Sequence, residues 1–219
     1  VIEFERPGGG ETALQEAAEL LSSAKSPVIL NGAGVVLSGA IPESMALAER
    51  LDAPVCVGYQ HNDAFPGSHP LFAGPLGYNG SKAGMELISK ADVVLALGTR
   101  LNPFSTLPGY GIDYWPKGAK IIQVDLNPDR IGLTKKVSVG IVGDAKKVAG
   151  SLLDRLADTA GDAGRAERKS LIADTKSRWA QQLSSMDHED DDPGTSWNQR
   201  ARDDKPDWMS PRMAWRAIQ

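Results

Sequence analysis

The stretch Ala91-Asp92-Val93-Val94-Leu95-Ala96-Leu97-Gly98-Thr99-Arg100 decides the fold. Five consecutive apolar residues, without polar alternation and ended by a glycine turn, read as a strand over 92–97 that is buried on both faces. Such strands belong to parallel sheets covered by helices. Upstream, the same logic assigns strands to Pro27–Leu30 and Pro54–Val57. Helices fall over Glu11–Lys25, Ile41–Leu51 with Pro42 in its first turn, and Ser81–Lys90. Downstream, strands fall at Lys120–Val124 and Val137–Val142. A last helix follows Asp144 as N-cap, with Val148, Leu152, Leu153 and Leu156 at helical spacing. Five strand candidates separated by amphipathic helices predict an α/β fold, a doubly wound parallel sheet of five to six strands.

Two connections are irregular. Residues 58–80 read as a long loop rich in Gly, Pro and His, and residues 98–118 as a loop with Pro103, Pro108 and Pro116. The second also carries Phe104, Tyr110, Tyr114 and Trp115, too aromatic for disorder, so it is expected to pack against something. Beyond about Ala157 the composition changes. Residues 1–155 hold 14 Lys/Arg and 16 Asp/Glu, whereas the 64 residues 156–219 hold 10 and 12, nearly doubling the charge density. This segment is expected to be a helical or irregular tail, mobile beyond about residue 160, with an acidic run at 188–194. Its four tryptophans, Trp179, Trp197, Trp208 and Trp215, are expected to meet a partner surface. The expected organisation is a linker over 1–10, a Rossmann-like domain over 11–157 and a charged tail over 158–219. A start at Val1 rather than Met suggests a piece of a longer polypeptide.

The chain has 219 residues, 41% of them hydrophobic and 24% charged, which is ordinary globular composition. A formal net charge of -4 argues against a nucleic-acid partner, whose phosphates ask for a basic surface. One cysteine, Cys56, excludes an internal disulfide and any Cys-based zinc site. No apolar run approaches the roughly 18 residues of a membrane helix, so no membrane partner and a reducing, cytoplasmic setting are the expectation.

Open parallel sheets bind ligands where loops converge at the carboxyl ends of their strands. Four such ends carry suggestive residues. Gly32 and Gly34 follow the first strand, but Leu37 stands where a third phosphate-loop glycine would be, so a tight turn is the plainer account. Arg100 can grip a phosphate with its planar fork or form a surface ion pair. Asp125 can accept two ribose hydroxyls, or with Asn127 cap a turn. Gly143, Asp144 and Ala145 open a helix whose amides could meet a ligand, or Asp144 is simply its N-cap. Together these residues predict an adenine-nucleotide-sized cleft, with no catalytic group and no metal site. His61, Asp63 and His69 share one loop without metal-ligand spacing and read as structural.

Several segments carry a resemblance: Phe65–Gly74, Leu97–Leu101, Ile121–Pro128 and Val142–Ala145, in order and at matching spacing. They resemble the central domain of thiamine-diphosphate enzymes of the acetolactate synthase family, over roughly residues 15–157. Tyr59–Asp63 and Thr106–Pro116 look like one subgroup of that family, and Met209–Trp215 resembles the entry to its carboxyl-terminal domain. The resemblance implies a three-domain polypeptide that assembles as a homodimer or homotetramer. It implies thiamine diphosphate and Mg2+ held by residues outside this chain. It also implies an acyltransferase that takes a sulfonated aldehyde, releases sulfite and passes the acetyl group to phosphate. This chain alone would then be the non-catalytic central domain, inactive by itself. Relatives hold FAD, ADP or nothing in this domain. Departures from the flavin-binding members at Leu76–Gly80 and Asn102–Phe104 favour ADP or an empty cleft over FAD. The alternatives are the central domain of an acetolactate synthase-type enzyme, or a stand-alone adenine-nucleotide-binding module.

Overall fold

Strand β4 (Val93–Leu97) is buried at every position and pairs in parallel with β1 (Pro27–Asn31) on one side and β5 (Lys120–Asp125) on the other. A computed structural model describes residues 5–189 apart from Asn79. The acidic residues from Asp190 onward, Trp197, Trp208, Trp215 and the Met209–Trp215 stretch lie outside the described residues. From the central pair the sheet grows outward to β2 (Val55–Gly58) and β3 (Phe72–Leu76) on one flank and β6 (Val139–Val142) on the other. The order is β3-β2-β1-β4-β5-β6, parallel throughout. The predicted doubly wound sheet is present with six strands.

The sixth, β3, lies inside the 58–80 segment that the sequence presents as loop. Gly74 and Pro75 disguise it. Gly74 has φ 96° and sits where the β2–β3 register shifts, and Pro75 is tolerated because β3 is an edge strand. A short helix after β1, α2 (Ala33–Ser38), also escapes the sequence, since six residues carry no usable periodicity.

Helices α1 (Glu11–Ser23), α3 (Ile41–Leu51) and α5 (Ala145–Arg155) cover one face of the sheet. Leu14, Leu21, Leu47, Leu51, Val148 and Leu152 pack on Ile29, Val55, Leu95 and Ile122. The other face is covered by α4 (Lys82–Ile88) and by the aromatic β4–β5 loop. Leu101 and Tyr114, both essentially inaccessible to solvent, join Met85 and Ile88 over Leu30, Cys56, Val94 and Ala96. That loop therefore does the work of a crossover helix, which explains its aromatic content. Burial pushes the Cys56 thiol up to about 12, so it is an inert apolar side chain of this layer.

The first compact unit closes at Thr175, beyond the change of composition at 157. It includes the start of α6 (Arg165–Glu189), which buries Arg168 and Ile172. Arg168 explains why a charge-dense segment packs here. Nε donates to the carbonyl of Asp52 (3.0 Å). One terminal nitrogen donates to Lys25 (2.6 Å) and Ala163 (2.8 Å), and the other to Leu51 (2.8 Å) and Gly161. All five N–H groups of the guanidinium are thus satisfied by main-chain oxygens. The described part of the second unit, residues 176–189, is helical.

Candidate nucleotide cleft

A cleft of about 730 Å³ opens at the carboxyl ends of the strands, centred where the chain order reverses between β1 and β4. This is the topological switch point, the usual ligand position in such sheets, and the volume suits a nucleotide-sized molecule. The eight residues singled out in the sequence, Gly32, Gly34, Arg100, Asp125, Asn127, Gly143, Asp144 and Ala145, all line it.

Their roles differ from one another. Gly32 and Gly34 are required by close packing of two turns. A Cβ on Gly34 would stand 2.7 Å from the Cα of Gly98, and one on Gly32 would stand 2.5 Å from the Cβ of Thr99. The Gly34 amide donates to the Gly98 carbonyl at 2.8 Å, and the Gly32 amide to Leu97 at 3.0 Å. The β1 and β4 ends are thereby clamped together to make the cleft floor. Arg100 follows directly, with Leu101 in the left-handed region (φ 52°) and its amide donating to Thr99 Oγ1 at 3.2 Å. Arg100 is exposed in the cleft and has no carboxylate partner among the described residues, so the surface ion pair weighed for it is not formed.

Asp125 is buried at the end of β5. Its Oδ1 accepts the Asn127 amide at 2.9 Å, which leaves Oδ2 without a protein donor among the described residues. Asn127 in turn accepts from the Asp129 amide at 2.9 Å, capping the short turn Pro128–Arg130, as its plainer reading has it. Asp144 is the N-cap of α5, accepting from the amides of Lys146 (3.0 Å) and Lys147 (3.3 Å). The Asp144 amide is taken by the Pro7 carbonyl and the Gly143 amide by Asp125. Most amides at this helix start are therefore engaged by protein, and only its rim faces the cleft.

Arg6 is the residue that sequence reasoning missed. It lies in the stretch read as plain linker, yet it lines the cleft and donates to Asp144 Oδ2 at 2.9 Å. No periodicity or motif marks it; only the chain path brings it across from the far end of the domain. Burial raises the Asp144 carboxyl, but the bonds from Arg6 and from the two amides outweigh this and hold it below its ordinary value. A carboxyl depressed in the fold stabilises it above the unfolded-state value, near pH 4, and loses that contribution as pH falls through the folded value. Asp144→Asn should therefore lower the urea midpoint at pH 7. The gap from the parent should shrink toward zero below about pH 4. A gap that persists unchanged into acid would show that charge at Asp144 is not what stabilises.

His69 accepts the Leu71 amide on Nδ1 (3.1 Å) and meets Glu49 through Nε2 (3.2 Å), while the His61 Nδ1–Asp63 Oδ1 distance is 3.9 Å. The three loop residues thus serve separate contacts. Among the described residues no three His, Cys, Asp or Glu side chains converge to hold a cation. The described residues thus offer no carboxylate set for a magnesium–diphosphate group. No described helix is long and apolar enough to cross a membrane.

Comparison with known proteins agrees with the fold. The family profile described as thiamine pyrophosphate enzyme, central domain, matches residues 14–152. The chain is 81% identical, over its whole length, to a sulfoacetaldehyde acetyltransferase of Roseovarius nubinhibens, and covers 36% of that protein. It is 35% identical over 141 residues, or 64% of this chain, to the acetolactate synthase large subunit of Corynebacterium glutamicum, covering 22% of that protein. An X-ray structure from Mycobacterium smegmatis, described as a thiamin diphosphate-dependent enzyme, overlays with TM-score 0.59 at 26% identity. The overlap covers 72% of this chain and 30% of that one. The chain spans about a third of the length of the curated relatives it matches most fully.

Proposed function

The chain belongs to the central-domain family of thiamine pyrophosphate enzymes, and from that premise we propose that it is the middle portion of a sulfoacetaldehyde acetyltransferase. The whole polypeptide converts sulfoacetaldehyde and phosphate to acetyl phosphate and sulfite. The observation that carries this reading is 81% identity across all 219 residues to a protein of that name. In this reading thiamine diphosphate supplies the electron sink for carbon–carbon and carbon–sulfur chemistry, and its ligands and Mg2+ lie on the other domains of the polypeptide. The polypeptide is soluble, cytoplasmic and homo-oligomeric, with residues 1–10 and the chain beyond Thr175 joining this domain to its neighbours.

This domain's own contribution is its cleft, which we read as a site for an adenine nucleotide such as ADP. Arg100 and Arg6 supply positive charge for the phosphates, and the second oxygen of Asp125 accepts from a ribose hydroxyl. FAD is disfavoured because the segments Leu76–Gly80 and Asn102–Phe104 depart from flavin-binding relatives.

The polypeptide in its natural length, given sulfoacetaldehyde, phosphate, thiamine diphosphate and Mg2+, is expected to release sulfite in proportion to acetyl phosphate formed. Acetolactate made from pyruvate, with no sulfite released from sulfoacetaldehyde, would replace this reading by the synthase one, which the 35% identity to the Corynebacterium protein keeps in view.

A further inference from the structure

We propose that occupancy of the cleft is coupled to seating of the segment that leads into the domain, Glu5–Gly9, with Arg6 as the shared element. This rests on the nucleotide reading of the cleft.

The segment is fastened to the end of β6 and the start of α5 by four contacts. Arg6 donates to Asp144 Oδ2, and its own carbonyl accepts from Lys147 Nζ at 2.8 Å. The Pro7 carbonyl accepts the Asp144 amide at 2.8 Å, and Gly8 bridges Gly143. Gly9 then turns into α1 with φ 94°, so close to the core that a Cβ there would stand 2.9 Å from Ile141 Cγ2. Only Arg6 of this segment also lines the cleft. One of its five N–H groups is engaged among the described residues, and its side chain is 49% exposed. The remaining donors suit a phosphate oxygen, as do those of Arg100, which also lines the cleft.

A diphosphate that bridges these two arginines is bound fully only when the segment is seated. By reciprocity, binding then stabilises the seated segment by the same factor. The device links cleft occupancy to the path of the chain immediately before the domain. The Asp144 amide reports seating directly, because its acceptor is the Pro7 carbonyl.

The test uses the polypeptide in its natural length. ADP is titrated by calorimetry, and hydrogen–deuterium exchange is followed in the peptide covering residues 140–147. ADP is expected to slow exchange of the Asp144 amide about tenfold. Gly9→Ala removes no cleft side chain and no charge, and strains the segment where it turns at φ 94° against Ile141 and Leu14. It is expected to speed that exchange without ligand and to weaken ADP binding about tenfold, with unchanged circular dichroism. Arg6→Ala is expected to weaken ADP binding similarly and to abolish the ADP-induced slowing. If ADP binds Gly9→Ala as tightly as the parent, or leaves the Asp144 amide unaffected, the coupling is refuted while the nucleotide reading stands. If ADP gives no binding heat with the parent, both fall.

Discussion

Replacing Arg168 by methionine is expected to destabilise the domain by about 3–5 kcal/mol, the usual loss when one partner of a buried charged network is removed. The side chain is 4% exposed, and its five N–H groups serve carbonyls from three places in the chain: Lys25 after α1, Leu51 and Asp52 at the end of α3, and Gly161 and Ala163 before α6. Methionine fills much of the volume but satisfies none of those oxygens. Arg168→Lys should recover only part of the loss, because one ammonium cannot reach five acceptors spread over a planar fork. Urea denaturation followed by circular dichroism measures both. A loss under about 1 kcal/mol for the methionine variant would mean that water replaces the guanidinium at little cost.

Gly98→Ala is the second large effect, expected at about 3 kcal/mol. Two penalties combine. Gly98 has φ 59°, which costs an alanine about 1–2 kcal/mol. Its new Cβ would also stand 2.7 Å from the Cα and 2.9 Å from the carbonyl carbon of Gly34, backbone atoms that cannot rotate away. Gly39 separates the two contributions. It has φ 66° but nothing within 4 Å of its Cβ position, so Gly39→Ala should carry the conformational penalty alone. The difference between the two variants, read from their urea midpoints, measures the clamp between the β1 and β4 turns. Equal losses would show that the close approach relaxes freely and does not hold the cleft floor.

These variants also mark where sequence reading succeeds. Val93–Leu97 announces a doubly buried strand because a strand covered on both faces has no solvent side for polar residues, and its environment is the helix-covered sheet expected. Asp144 announces an N-cap because a short carboxylate before a helical stripe has one common use. Such signals are local, arising from a residue and its near neighbours. Where a local rule is broken by tertiary context, the reading fails. β3 contains Gly74 and Pro75, and only its place at the sheet edge makes them acceptable. The charge-rich start of α6 is solvated by composition, yet buries Arg168 because carbonyls from distant segments converge there.

The cleft divides in the same way. Its floor was legible, because strand ends in a parallel sheet must face one rim, and Arg100, Asp125 and Asp144 each end a strand or open the next helix. Thus the order of apolar runs determined the architecture and the position of the rim, since hydrophobic periodicity is written into neighbouring residues. Only the folded chain decided that Arg6 would reach that rim and that Arg168 would tie three segments together. Those outcomes depend on which distant backbones come within a few ångströms, and no spacing along the chain encodes that.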